Sequence, residues 1–194
     1  MKPGPKLTAA VILLLILIWG STWAVIRVGL VGIPPLTGVA LRFGIASLLL
    51  FSIGLARGVR FGAGRYEKAI WWSSALLSFS TSYVVVYWAE QYVPSGLAAV
   101  LWATFPLILA ILAHFMIPGE QIRPVSLVGT LIGFAGIGVI YSEDFALLGG
   151  PNVLFASIVL LISPLVSALA NVVIKRWGKG VHPISLTAVP MGMT

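Results

Sequence analysis

The sequence predicts an all-α integral membrane protein, a multi-helix transmembrane bundle, and three observations predict it. Hydrophobic residues make up 59% of the 194 and charged residues only 9%, with a mean hydropathy of +1.07, a balance that leaves no polar surface for water. Between charged residues the chain leaves uncharged runs at 7–26, 69–89, 91–119, 124–142 and 145–174, and about 20 apolar residues cross a bilayer as a helix. The basic residues cluster in alternate connections, as the positive-inside rule requires of a multi-pass protein. Together these give six spans and a fragment: 7–28, 35–56, 69–91, 95–117, 124–142, 152–174 and 183–194.

The first span follows Lys2 and Lys6, so a signal peptide competes with it. The run continues through WGSTWAVI without a small-x-small cleavage site, which favours a retained helix. The second span is interrupted only by Arg42. If that helix enters the membrane at Pro35, seven residues at about 1.5 Å each bury Arg42 roughly 10 Å below its start, inside a half-core of about 15 Å. A central arginine costs about 2.5–3.5 kcal/mol on translocon scales and usually faces a bundle interior or water.

In the third span Ser73, Ser80, Tyr83, Tyr87 and Glu90 recur at spacings 7, 3, 4 and 3, which places hydroxyls, phenols and a carboxylate on one helical face. Trp88 and Tyr92 suit an interfacial aromatic belt. The fourth span carries Gly96, Ala99, Ala103, Pro106, Ala110 and Ala113, and the fifth Gly129, Gly133 and Gly136. Both strips read as surfaces for close helix packing. Pro106 and Pro164 lie mid-span in the fourth and sixth helices and are expected to kink them.

With the N-terminus in the cytoplasm, ten basic residues fall on the inner side: Lys2, Lys6, Arg57, Arg60, Arg65, Lys68, Arg123, Lys175, Arg176 and Lys179. The outer side holds Arg27 together with Glu143 and Asp144. The net charge of +7 is therefore a topology signal, and nucleic acid is not an expected partner. There is no cysteine and no GxxxxGK[ST] motif; FGAGRYEK at 61–68 lacks the phosphate-loop spacing.

The chain also resembles itself. At an offset of 148, VIRVGLVGIPPLTGVAL (25–41) lies over VIKRWGKGVHPISLTAV (173–189), pairing Arg27 with Lys175, Gly32 with Gly180 and Pro35 with Pro183. The competing explanation is chance likeness between apolar helices, but the Gly and Pro matches fall in a connecting loop. Five helices separate the copies, so the second enters from the opposite face, as in inverted-repeat transporters.

The pieces WGSTWAVIRVGLVGIPPLTGVALRFGIASLLLF (19–51), EQYVPSGLAAVLWATFPLILAIL (90–112), PGEQI (118–122) and GTLIGFAGIGVI (129–140) resemble, in order and spacing, the EamA domain of the drug/metabolite transporter (DMT) superfamily. The resemblance implies ten helices in two five-helix repeats that export small metabolites, amino acids or drugs. It makes 1–144 the first EamA repeat and 145–194 the start of an inverted second, with helix 6 and part of helix 7. The sequence stops at Thr194 inside the expected seventh helix, whereas two full periods predict roughly 290–300 residues. In the family an arginine commonly occupies the place of Arg42 in ALRF, and an acid that of Glu120.

Aromatic walls with a few polar groups are what a small-molecule pocket needs. The expected cavity residues are Trp19, Trp23, Arg42, Tyr83, Tyr87, Glu90, Trp102, Pro106 and Asn171, the last aligned with Trp23 in the internal repeat. Arg42 and Glu90 are expected to pair, directly or through water, with a helix-positioning salt bridge as the plainer reading. No catalytic, cofactor-binding or metal-binding residues are expected, and His114 has no ligand partner in view. The expected function is a transmembrane transporter of small organic molecules working by alternating access, with an integral-membrane scaffold or a membrane-embedded enzyme as the alternatives. Expected partners are the lipid bilayer, a small-molecule substrate and, optionally, further copies of the chain. The expected location is a bacterial or archaeal plasma membrane.

Overall fold

A computed structural model describes residues 4–62, 65–122, 124–140, 142 and 151–194. The helices are α1 (Pro5–Gly29), α2 (Pro35–Ala56), α3 (Arg65–Ser73), α4 (Ser82–Ala89), α5 (Ser95–Trp102), α6 (Phe105–Met116), α7 (Pro124–Ile140), α8 (Pro151–Leu160), α9 (Ile162–Trp177) and α10 (Pro183–Gly192), and a π-helical stretch, Ser74–Thr81, joins α3 to α4. Among the described residues five helices are long and apolar enough to cross a membrane: Pro5–Gly29, Pro35–Ala56, Tyr66–Ala89, Ser95–Met116 and Asn152–Trp177. The chain is an all-α, multi-pass membrane bundle, and no strand occurs among the described residues. Lys2, Arg123, Glu143 and Asp144, which enter the charge-based topology, lie outside the described residues.

Proline starts several of these helices. Pro5, Pro35, Pro124, Pro151 and Pro183 each open one, where a fixed φ suits the first turn and the missing N–H is no loss. Pro35 and Pro183 are 148 positions apart, the period of the internal repeat.

Inside the spans proline acts differently, because its ring displaces the carbonyl four residues earlier. Pro106 acts on Trp102 and the fourth span breaks there, leaving α5 and α6; Pro164 acts on Leu160 and the sixth span breaks there, leaving α8 and α9. Both interruptions expected from sequence are present. The third span departs from expectation by its eight-residue π stretch. A π turn holds more residues than an α turn, so the 3.6-residue face drawn through Ser73, Ser80 and Tyr83 does not run unbroken. Within α4 the spacing of Tyr83 and Tyr87 still holds.

The centre of the bundle is built on α4 and α9. Helix α4 packs against α2, α8 and α9, and α9 also packs against α6 and the π stretch. Ile26, Val39, Phe43, Val86, Tyr87, Leu97, Ala98, Ala156 and Leu160 form a buried core. Helix α10 lies antiparallel on α2: Ser47 donates to the Ala188 carbonyl at 2.8 Å, Gly192 sits beside Ser47, and Gly54 beside Ile184. A lipid-facing exterior explains the many exposed Leu, Ile and Val side chains of α1 and α2.

The small-residue strips are only partly used. In α5 the buried positions are Leu97, Ala98 and Val100, and the strip is cut by the break after Trp102. Gly129, Gly133 and Gly136 of α7 have nothing within 4 Å of where a Cβ would stand, so the close partner expected there is not found among the described residues. The close approaches occur instead at Gly38 and Gly54 of α2 and at Gly192 of α10.

Candidate functional site

A cavity of about 430 Å³ opens between α1 and α2. Ile18, Val25, Ile26, Leu30, Ile33 and Leu41 give it apolar walls, Ser21 and Thr22 add hydroxyls, and Arg42 and Tyr87 enter from the bundle side. The two α1 hydroxyls are turned onto their own helix, Ser21 to the Leu17 carbonyl and Thr22 to the Ile18 carbonyl, both at 2.8 Å. Gly38 makes the cavity's back wall possible, because a Cβ there would stand 2.8 Å from the Tyr87 ring.

Arg42 is half-buried, and its guanidinium carbon lies 5.3 Å from the centre of the Tyr83 ring. A cation over an aromatic face contributes about 0.5–2 kcal/mol, depending on how dry the place is, which offsets part of the cost of an arginine inside a span. The expected direct pair with Glu90 is absent: the ion pair found among the described residues is Lys175–Glu120 at 2.7 Å. The reason is depth. Helix α2 begins at Pro35 and runs against α4, so Arg42 lies seven residues in from that end. Tyr83 is seven residues before Glu90, and those seven residues span roughly 10 Å. Arg42 therefore meets Tyr83, and Glu90 stays at the helix end.

Behind Arg42 lies a layer of rings. Phe43 packs edge-on against Tyr83 at 4.7 Å and Phe79 at 5.2 Å between centres, and Trp23 meets Trp102 edge-on at 6.3 Å. This layer leads into a buried cluster of hydroxyls. Ser82 and Ser163 share a hydrogen bond at 2.8 Å, Ser167 donates to Ser82 at 2.8 Å, and the Trp102 indole N–H donates to Ser163 at 2.8 Å. Three irregularities meet here: the end of the π stretch, the break after Trp102 and the break after Leu160. Interrupted helices gathered at one depth are how many secondary transporters build a central site.

Of the nine residues expected to line a cavity, Arg42 and Tyr87 do so. Trp23, Tyr83 and Trp102 form the aromatic layer beside it. Pro106 lines a different space, of about 280 Å³, with Ala110, Ala113, Glu120 and Thr130. Trp19 is 68% exposed and does not reach the cavity. Asn171 is exposed and bonds the Ser167 carbonyl one turn back at 2.8 Å. Glu90 is fully buried and is not part of the cavity wall.

Sequence reasoning missed Ser82, Ser163 and Ser167. Their signal was faint: Ser163 precedes Pro164 and Ser167 follows one turn later, but Ser82 falls off the face that an unbroken 3.6-residue pitch draws. It also missed Arg27, whose guanidinium donates to the carbonyl of Glu90 and, at 3.4 Å, to that of Val93. At the opposite end of the bundle Lys175 pairs with Glu120, and Arg176 donates to the Met116 carbonyl at 2.6 Å. His114 Nδ1 lies 3.0 Å from the Glu120 carbonyl oxygen, and no group of three metal-ligating side chains occurs among the described residues.

Residues 6–142 match the EamA-like transporter family. An uncharacterized transporter of Bacillus subtilis, YvbV, is 28% identical over 193 residues, covering 98% of this chain and 61% of its own length. An uncharacterized inner membrane transporter of Escherichia coli, YedA, is 36% identical over 160 residues, covering 81% of this chain and 50% of its own. The aromatic amino acid exporter YddG of Ancylobacter novellus is 32% identical over 127 residues, covering 64% and 42%. The chain thus spans about half the length of these curated relatives. No solved structure matches it significantly.

Proposed function

The chain belongs to the EamA-like transporter family of the DMT superfamily, and on that premise we propose that it carries small organic molecules across the membrane through the cavity between α1 and α2. Arg42 binds the anionic end of the substrate, and Tyr87 together with the Trp23, Tyr83 and Trp102 layer receives its apolar part. Aromatic amino acids are the first substrates to test, because a similar relative bears the name of an aromatic amino acid exporter and a guanidinium beside aromatic rings suits both ends of such a molecule.

The observation that carries this reading is an arginine inside an apolar span, turned into a cavity, with no ion-pair partner among the described residues. An unpaired intramembrane charge is costly, and such residues characteristically face a bundle interior or a water-filled cavity and mark substrate pathways. Alternating access follows from the inverted-repeat reading, with 1–144 as one five-helix unit rocking against a second unit that begins at 145. The antiparallel packing of α10 on α2 and the matching prolines at 35 and 183 support that division. The described basic residues Arg57, Arg60, Lys68, Lys175, Arg176 and Lys179 sit in or beside alternate connections, a bias that supports a cytoplasmic N-terminus. A bacterial or archaeal plasma membrane is the setting.

The test is uptake and efflux of an amino-acid and metabolite panel by the full-length protein in proteoliposomes, with and without a pH gradient. Arg42→Gln is expected to insert normally and to lose transport of carboxylated substrates. Wild-type turnover by a normally inserted Arg42→Gln would remove Arg42 from the site, and inertness of the wild type toward the whole panel would favour a scaffold.

A further inference from the structure

Glu90 is the most deeply buried acid of the described residues. Its exposure is 0%, and neither carboxylate oxygen has a hydrogen-bond donor among the described residues. An ionised carboxylate without donors is among the costliest groups to bury. Burial of this kind costs the neutral acid far less than the carboxylate.

The nearby cation is held elsewhere. The Arg27 guanidinium donates to the main-chain carbonyls of Glu90 and Val93 and makes no ion pair with the carboxylate. Other charged or titratable side chains facing this region are few. Helices α5 and α8 contain none. On α2, Arg42 lies over Tyr83, two turns away; Tyr87 and Tyr92 flank Glu90 on its own segment; and the cations of α9, Lys175 and Arg176, lie at the opposite end of the bundle, against Glu120 and Met116.

We propose that Glu90 is a proton-binding site of the transport cycle, holding a proton while Arg27 clasps the carbonyls of Glu90 and Val93 and releasing it when Arg27 moves onto the carboxylate. This rests on the transport reading above and names its coupling ion. On release the carboxyl O–H bond breaks, the proton passes to water at that end of the bundle, and the carboxylate left behind pairs with the guanidinium. Moving Arg27 off the two carbonyls loosens α1 from the turn between α4 and α5. The cavity must respond, because Ile26 and Leu30, on either side of Arg27, and Tyr87, one turn before Glu90, are all part of its wall.

The experiment compares the full-length wild type with Glu90→Gln and Glu90→Asp in proteoliposomes, using radiolabelled phenylalanine as the probe. Glu90→Gln mimics the neutral acid, so it is expected to keep phenylalanine exchange between equal pools and to lose accumulation driven by a pH gradient; Glu90→Asp keeps both. An infrared difference spectrum of the purified proteins across a pH step should show a protonated-carboxyl band in the wild type that Glu90→Gln lacks. Gradient-driven accumulation by Glu90→Gln at the wild-type level, or identical carboxyl bands in the two proteins, overturns the proposal. If the wild type does not exchange phenylalanine, the reading of that substrate fails, and the infrared band alone then supports or overturns the proton site.

Discussion

The indole N–H of Trp102 donates to the hydroxyl of Ser163 at 2.8 Å, joining the break in the fourth span to the break in the sixth. Each residue stands beside the interruption that its span's proline creates, and Ser163 passes the link on to the fully buried Ser82. Two helices that proline would otherwise leave loose are thereby held at a common depth.

Removing one side of that link should destabilise the bundle modestly. Hydrogen bonds between membrane helices average about 0.6 kcal/mol and reach about 1.7. Trp102→Phe keeps the ring stacked on Phe105 at 5.0 Å and loses only the donor, so it should cost about 1 kcal/mol in detergent unfolding. Ser163→Ala should cost more, because it leaves both the indole and Ser82 short of a partner. Equal stability of all three proteins would remove the link from the fold's energetics.

Gly54 and Gly133 should respond in opposite ways to alanine. A Cβ on Gly54 would stand 2.7 Å from the Phe61 ring and 3.2 Å from Ile184, where α10 lies on α2, and overpacking of this kind costs about 1–3 kcal/mol. A Cβ on Gly133 meets nothing within 4 Å, so Gly133→Ala should be neutral or should stabilise α7 by up to about 1 kcal/mol through helix propensity. Thermal unfolding of the two variants side by side checks the contrast, which fails if Gly54→Ala is the more stable.

The Lys175–Glu120 pair should matter little to stability. Its side chains are 54% and 40% exposed, and pairs of that kind contribute about 0–1 kcal/mol, less in salt. Glu120→Gln should shift unfolding by under about 1 kcal/mol at low ionic strength and by nothing measurable at high. A larger, salt-independent loss would mean that the pair is shielded in the assembled protein.

The spans were legible because their signal is local. Each is a run of apolar residues long enough to cross lipid, and the helix bounds from sequence lie within a few residues of those in the structure at α1, α2 and α10. Both proline breaks were legible for the same reason, since a proline acts on a carbonyl only four residues away. The candidate site was legible in part: Arg42 and Tyr87 stood out as polar groups in apolar spans and line the cavity, whereas Trp19, chosen for its aromatic ring, is largely exposed.

What the sequence determined by itself was therefore an all-α membrane bundle, its punctuation by proline and an arginine that had to face the bundle interior or water, with Glu90 as its expected neighbour. Only the tertiary structure decided which neighbour. Whether Arg42 meets Glu90 or Tyr83 depends on how far one helix slides along another, and whether Ser82 faces Ser163 depends on the rotation that the π stretch gives α4. Slide and rotation between separate helices are fixed by packing against the whole bundle, so no periodicity within one helix encodes them.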